Sequence, residues 1–255
     1  MDGWIGQIFR INLTAGTVAR EALDPSVSRR FLGGRGFGTY ILSREVNPSV
    51  HPLDASNKIV FASGPLSGTG APAASHWNVV TKGPLTHAVA ASSSGGIFGA
   101  MLKYAGCDAV VVEGRADAPV FIWIQDGEAE IRSAPGLWGK TVPETTDAIR
   151  AHTDEDASVA CIGPAGERMS PAANVMNDYT RAAGRSGVGA VLGSKNLKAV
   201  AVRGTGSVHV TDKGLFRDAM LRARNKLKAH PIGGRGLRAY GTDSLLNVLN
   251  ECGGL

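Results

Sequence analysis

Short apolar runs punctuated by glycine dominate the middle of this chain: "NKIVFASGP", "HWNVVTKGP", "DAVVVEG", "SVACIGPAGE" and "NLKAVAV". Each is too brief for an ordinary helix and is bounded by turn residues, so each reads as a strand. The run Ala109–Val112 within "DAVVVEG" is continuously apolar, as a strand covered on both faces should be. The 255 residues include 34 glycines without a Gly-X-Y period. That excess serves turns, loops and close approaches, and points to a β-rich fold with many corners. At 43% hydrophobic and 19% charged residues, the chain can bury a proper core.

The remaining local signals complete an α+β pattern. "GWIGQIFRINLTAGTVAREAL" alternates around Thr14-Ala15-Gly16 as a hairpin, and "PVFIWIQDGEAEIRSA" forms a second one around the two-residue turn Asp126-Gly127. "DPSVSRRFLGGRGFGTYILSREV" predicts two short helices split by Gly33 and Gly34, with Asp24 as cap and Pro25 at the first helical position. "SSSGGIFGAMLKYAG" predicts a helix from about Gly95, closed by Gly106. "TVPETTDAIRAHT" carries a capping-box spacing at Thr141 and Glu144. From about Thr211 the texture changes to one basic amphipathic helix with Thr211 or Asp212 near its cap, and then to another helix start in "GTDSLLNVLNECGGL". The strands stop near residue 203, which places a boundary at 205–211. The expected layout is one domain over 1–207 and the incomplete beginning of a helical domain over 208–255.

Several function classes are disfavoured. The net charge is +5, yet positive residues concentrate only in Lys195–Arg203 and Arg217–Arg238, and aromatics are 6%, so nucleic acid is not the expected partner. Cys107, Cys161 and Cys252 are far apart and odd in number, without a disulfide framework or a CxxC metal motif, which suits a reducing cytoplasm. No window approaches the roughly 20 apolar residues of a membrane span, and "MDGWIGQIFR" lacks the apolar core of a signal peptide. His76 and His87 have no carboxylates nearby in sequence to build a triad. Cys107 and Cys161 read as small buried hydrophobes, and Asp108 and Glu113 as ordinary strand-end polar residues.

What remains is anion binding. "NDYTRAAGRSGVGAVLGSKNLKAVAV" sets glycines beside Arg181, Arg185, Lys195 and Lys198. It fails the dinucleotide fingerprint, because Gly187-Val188-Gly189 is followed by Leu192; the separate stretch Gly34-Arg35-Gly36 fails it too, followed by Thr39. It is no phosphate-binding P-loop either. Within it, Arg181 and Arg185 offer guanidinium forks while Ala182 and Gly184 offer main-chain groups; a glycine-rich turn with solvated arginines fits the same residues. "ASSSGGIFGA" places Ser93, Ser94, Gly95 and Gly96 at the expected helix N-terminus, where the dipole favours an anion, although a plain serine cap is the more usual reading of such residues. The ten residues "LSGTGAPAAS" form a loop of the kind that faces ligands. Residue chemistry alone describes a binding domain without an evident reaction centre.

"GWIGQIFRINLTAG", "FLGGRGFGTYIL", "GPLSGTGAP", "NVVTKGPLT", "SGGIFGAMLKYAGCDAVVVEG", "IGPAGE" and "NDYTRAAGRSGVGAVLGSKNLKAVAV", in this order and spacing, resemble the N-terminal domain of the tungsten-containing aldehyde ferredoxin oxidoreductases. The resemblance covers essentially the whole chain. It implies two β-sheets with short helices that form a saddle for a bis-molybdopterin tungsten (or molybdenum) cofactor, with later helical domains covering it. It further implies that Arg181, Ala182, Gly184 and Arg185 contact one pterin and its phosphate. Gly95 and Ser93 would serve from the other loop. Mg2+ bridging the pterin phosphates would be held partly by backbone carbonyls at or beside Ser93 and Ala182. Lys195 and Lys198 would lie outside the site.

Two positions depart from the family pattern. His76 stands where arginine is common, near the pterin and the iron-sulfur cluster, and Ser93 stands where asparagine is usual. Histidine has no bidentate fork, and serine lacks the amide, so a side-chain contact at 76 is weakened while a main-chain contact at 93 survives. The four cysteines for a [4Fe-4S] cluster and the residues around the substrate are expected from later domains; Cys252 is too isolated to stand for a cluster motif.

The function implied is cradling the cofactor of an oxidoreductase that converts aldehydes to carboxylic acids, with ferredoxin or an iron-sulfur subunit as electron acceptor. The expected partners are the remaining domains, or a chain carrying them, and the aldehyde; a homodimer is possible within the family. The chain would be inactive alone. The alternatives are a non-catalytic pterin-binding or cofactor-delivery module working with a partner subunit, and a truncated remnant. These residues choose neither the metal nor the aldehyde.

Overall fold

A computed structural model describes residues 2–254. The chain divides into two compact units, one made of residues up to Thr69 with Ala73–His209, the other of Gly70–Pro72 with the residues from Val210 onward.

Among the described residues, the strands of the first unit form two mixed sheets of six. The first sheet contains β1 (Gln7–Asn12), β2 (Thr17–Ala22), β3 (Ile59–Ser63), β4 (Trp77–Lys82), β5 (Val89–Ser94) and β6 (Ala109–Glu113), in the order β2-β1-β6-β3-β4-β5. The second contains β7 (Val120–Gln125), β8 (Glu128–Ser133), β9 (Ser158–Cys161), β10 (Val175–Asn177), β11 (Arg181–Ala183) and β12 (Leu197–Arg203), in the order β11-β10-β9-β12-β7-β8. Most neighbours are antiparallel; β1 with β6 and β7 with β12 are parallel. Helices α1 (Pro25–Phe31), α2 (Arg35–Glu45), α3 (Phe98–Tyr104), α4 (Val142–His152), α5 (Pro164–Glu167) and α6 (Val188–Ser194) complete an α+β unit.

Strand alternation explains why the central runs are apolar without interruption. Ile59 and Phe61 of β3 enter a core shared by both sheets, with Val79, Val110, Ile122, Leu192 and Val200. Val60 and Ala62, on the opposite face, pack with Phe37 and Ile41 of α2. Across the other sheet, Phe121, Trp123, Val159 and Ala199 pack with Ile149 of α4. Each large side chain buried this way contributes about 2 kcal/mol.

The predicted turns and caps are present. Asp126 (φ 42°) and Gly127 (φ 94°) carry the left-handed pair of a type I′ turn between β7 and β8. Asp24 Oδ1 accepts from Ser26 N at 2.7 Å to cap α1, and Thr141 with Glu144 forms the capping box of α4.

Three local expectations need correction. The helix expected from Gly95 begins at Phe98, because Ser93 and Ser94 extend β5 by pairing with Asn78 and Trp77. Arg181–Ala183, expected as loop, is a short strand folded back on β10. Asp108 is no ordinary strand-end residue. It is fully buried, ion-paired with Lys103, and accepts from Gly6 N at 2.7 Å and Ile5 N at 3.2 Å, so its charge is compensated on every side.

The second unit opens with α7 (Lys213–Ala229), capped by Asp212 Oδ1 accepting from Leu215 N at 2.8 Å. A π-helical turn at Pro231–Gly236, α8 (Leu237–Tyr240), a 3-10 turn at Gly241–Leu245 and α9 (Leu246–Glu251) follow. No helix among the described residues is long and apolar enough to cross a membrane.

Candidate functional site

β5 is an edge of the first sheet and β11 an edge of the second, and these two edges meet. Side-chain alternation along β5 divides its serines. Ser92 and Ser94 are buried and turn toward the second sheet, where Ser92 Oγ accepts from Arg185 N at 2.9 Å and Ser94 Oγ donates to Asn177 Oδ1 at 2.7 Å. Ser93, exposed between them, donates instead to Oδ1 of Asn78 at 2.8 Å. Beyond Ser94, the carbonyl of Gly95 accepts from Trp77 Nε1 at 3.2 Å and Asn177 Nδ2 at 3.3 Å. The residues expected at the site from two distant stretches, Ser93 and Gly95 on one side and Arg181, Ala182, Gly184 and Arg185 on the other, thus come to the same seam.

The glycines along this seam fall into two groups. At Gly96, a Cβ would stand 2.6 Å from Asn177 Nδ2, so packing excludes it. A Cβ on Gly187 would fall on the carbonyl of Pro171, and one on Gly193 on that of Gly166. Gly95 and Gly184 differ. Neither has a left-handed φ; a Cβ on Gly95 would meet nothing within 4 Å, and one on Gly184 only Ala182 Cβ at 3.7 Å. Folding does not require glycine at these two positions. Bare backbone facing open space there allows a ligand to approach main-chain groups closely.

Charge at the seam is unbalanced in the same sense. Arg181 and Arg185 are exposed, and neither forms an ion pair among the described residues. Asp178, three residues before Arg181, is committed elsewhere: Ser158 Oγ donates to both of its oxygens, at 2.8 and 2.9 Å, and Asn177 Nδ2 to one at 3.0 Å. Two guanidinium forks thus carry charge that no carboxylate among the described residues pairs with.

His76 precedes β4 with its ring exposed, and its carbonyl accepts from Ser67 Oγ at 3.5 Å. The two lysines of the long motif are buried elsewhere. Lys195 Nζ donates to the carbonyls of Ala55, Asn57 and Gly114 at 3.0, 2.5 and 2.9 Å, and Lys198 pairs with Glu167 and donates to the carbonyl of Lys140. Sequence reasoning missed Asn78 and Asn177. The signal for Asn78 was its place as a lone amide in the apolar run "HWNVVTKGP". Among the described residues no three His, Cys, Asp or Glu side chains gather as metal ligands.

The model of the aldehyde ferredoxin oxidoreductase N-terminal domain family matches residues 8–204. The chain belongs to this family. Tungsten-containing aldehyde ferredoxin oxidoreductases of Pyrococcus abyssi (strain GE5 / Orsay) and Pyrococcus furiosus are similar to it, at 49% and 48% identity over 254 residues. Those alignments cover 99% of this family member but 42% of each relative, so the chain spans about two-fifths of their length. The WOR-like subunit of an aliphatic sulfonate oxidoreductase from P. furiosus is 35% identical over 230 residues, 84% of this chain and 36% of that protein. Among solved structures, the active site complex BamBC of benzoyl coenzyme A reductase with 1,5-dienoyl-CoA superposes with a TM-score of 0.87 at 35% identity. That match covers 89% of this family member and 35% of the neighbouring chain.

Proposed function

We propose that the first unit cradles a bis-molybdopterin tungsten (or molybdenum) cofactor in an enzyme that oxidises aldehydes to carboxylic acids and passes electrons to ferredoxin or an iron-sulfur subunit. The observation that carries this is the pair of glycines, Gly95 and Gly184, that packing and backbone conformation leave unexplained. They flank the seam where two unpaired guanidinium groups stand. A phosphate-bearing, flat, polar group fits that combination of bare backbone and fixed positive charge.

In this assignment Arg181 and Arg185 neutralise the phosphates and fix their orientation, and Gly95, Ala182 and Gly184 offer main-chain groups to the pterins. Ser93 and Ala182 lie on the two facing edge strands, and their carbonyls would serve a bridging Mg2+, a hard cation that takes oxygen ligands. His76 would approach the pterin with a shorter, forkless side chain than arginine. When bound, the cofactor supplies the metal's change of oxidation state; this chain supplies binding and orientation. Residues that hold an iron-sulfur cluster and line the substrate pocket would come from the remaining domains or from a chain carrying them, and the assembled enzyme would work in the cytoplasm, with homodimerisation a further expectation.

The test is Arg181→Ala with Arg185→Ala in the full-length protein, read by tungsten, molybdenum and pterin content. Occupancy should fall in the double variant; unchanged metal and pterin would remove the assignment. A second substrate class is supported by the sulfonate oxidoreductase subunit and the benzoyl coenzyme A reductase complex at 35% identity. Turnover of a sulfonate or a CoA thioester, with none of an aldehyde, would favour it.

A further inference from the structure

We propose that Asp178 is a positioning residue that holds Arg181 at the seam and keeps its guanidinium free for an anion; the inference rests on the cofactor-phosphate site proposed above. The turn joining β10 to β11 places Asp178 (φ 47°) and Tyr179 (φ 67°) in the left-handed region in succession. The loop between the paired residues Asn177 and Arg181 is three residues long; such loops ordinarily hold one left-handed residue, usually glycine, and a tyrosine at φ > 0 costs on the order of 1–2 kcal/mol. The turn is therefore not self-sustaining, and side chains around it must keep it in shape.

Those side chains converge on Asp178 and Tyr179. Ser158 Oγ of β9 bridges the two oxygens of Asp178, and Arg150 Nη2 stands 3.7 Å from Oδ1. Tyr179 donates its hydroxyl to Asp147 Oδ1 at 2.6 Å and lies under the Arg150 guanidinium, 5.3 Å from the ring centroid, so α4 grips the turn from one side. From the other side, Ile97 N donates to Asp178 Oδ2 at 3.4 Å. One carboxylate thus spans both halves of the site, the segment after β5 and the turn before β11.

The same arrangement settles where the negative charge goes. A carboxylate three residues before Arg181 could quench the arginine. Asp178 is instead saturated by a hydroxyl, two N–H donors and Arg150, while Arg181 passes Gly96 closely enough that a Cβ there would lie 3.2 Å from its Cγ and 3.3 Å from Asp178 Oδ2. The two side chains run past the same glycine without pairing.

The experiment uses the full-length protein with Asp178→Ala, Asp178→Asn, Ser158→Ala and Arg181→Ala. It reads retained pterin per chain, hydrogen exchange of residues 175–185 in cofactor-free protein, and the thermal midpoint. Asp178→Ala should lose about tenfold in retained pterin, the range seen when supporting partners are removed, and its hairpin should exchange faster. Asp178→Asn, which keeps an acceptor and suits the left-handed conformation, should restore most of both. Ser158→Ala should show a milder form of the same defect, and covers the case in which Asp178→Ala does not fold. Arg181→Ala should lose pterin with hairpin exchange unchanged.

Normal pterin content in Asp178→Ala beside a loss in Arg181→Ala overturns the positioning role, as does a lowered thermal midpoint with exchange and pterin unchanged. Normal pterin in Arg181→Ala overturns the anion site itself and the inference that rests on it, and the exchange data then report separately whether Asp178 holds the turn.

Discussion

Ser94 donates its hydroxyl to Oδ1 of Asn177 across 2.7 Å, and both residues are buried. Since the amide of Asn177 donates in turn to the carbonyl of Gly95, one side chain fixes both the last residue of β5 and the bare backbone after it. Buried polar groups satisfied this way specify geometry closely, because any displacement leaves a desolvated donor or acceptor without a partner. The seam is set by core-like hydrogen bonds, so a ligand held there would need little reorganisation of it.

Gly95→Ala and Gly184→Ala should leave the cofactor-free fold within about 0.5 kcal/mol of wild type, as ordinary open surface positions do. Both should impair cofactor retention. Gly193→Ala should do the reverse damage, unfolding the protein at markedly lower denaturant, since its Cβ would fall on the carbonyl of Gly166. Denaturant midpoints measured beside pterin content separate the groups; a Gly95→Ala protein that is unstable but fully loaded would contradict the division.

The Lys198–Glu167 pair is buried, with the lysine side chain fully covered, and Glu167 also accepts from Gly139 N at 3.0 and 2.9 Å. Glu167→Leu alone should destabilise by about 3–5 kcal/mol by stranding the ammonium. Combining it with Lys198→Met should recover a large part of that loss. A double-mutant cycle by urea unfolding gives the coupling.

Burial pushes the Lys195 ammonium down to about 8, against weaker attraction from Glu113 and Asp54. Its ordinary value is 10.5. Between those values the native state binds fewer protons than the unfolded chain, so the contribution of this residue to stability rises with pH through that window and is lowest below it. The three carbonyls oppose the trend, because an ammonium has three N–H donors and an amine two, so they narrow the window; within it the slope for this one group is at most about 1.4 kcal/mol per pH unit. Unfolding free energies from pH 7 to 10 should show a shallower rise in Lys195→Met than in wild type, whatever its absolute stability.

Burial raises the Cys107 thiol well above its usual range and pushes Cys161 up to about 11, whereas Cys252 is exposed. A thiol reagent at pH 8 should therefore modify Cys252 of this chain rapidly and reach the other two only on unfolding. Rapid reaction of all three would show that the packed core around Cys107 and Cys161 opens.

Much of the fold was legible because it is encoded locally. The apolar runs, the Asp126-Gly127 turn and the Thr141–Glu144 cap each declare themselves within a few residues. Errors arose where a distant partner decided. Ser93 and Ser94 look like a helix cap until β4 offers them Asn78 and Trp77, and Asp108 looks like an ordinary strand-end polar residue until Lys103 and the amides of Ile5 and Gly6 close around it. At the site, spacing alone left Arg181 and Ser93 as separate loops. Their meeting depends on which strands become sheet edges, and that is a property of topology. The glycines behaved similarly: composition counted them together, and only the packed structure separates those the fold demands from those it leaves free.

Trp77 has a use of its own. Its indole is fully buried against Phe98, with ring centroids 4.4 Å apart, and its N–H ends on the carbonyl of Gly95. A fluorophore is thus wired to the backbone atom next to the bare surface, so its emission should respond to whatever settles there. The protein carries its own optical reporter, and titrations could follow occupancy without a label.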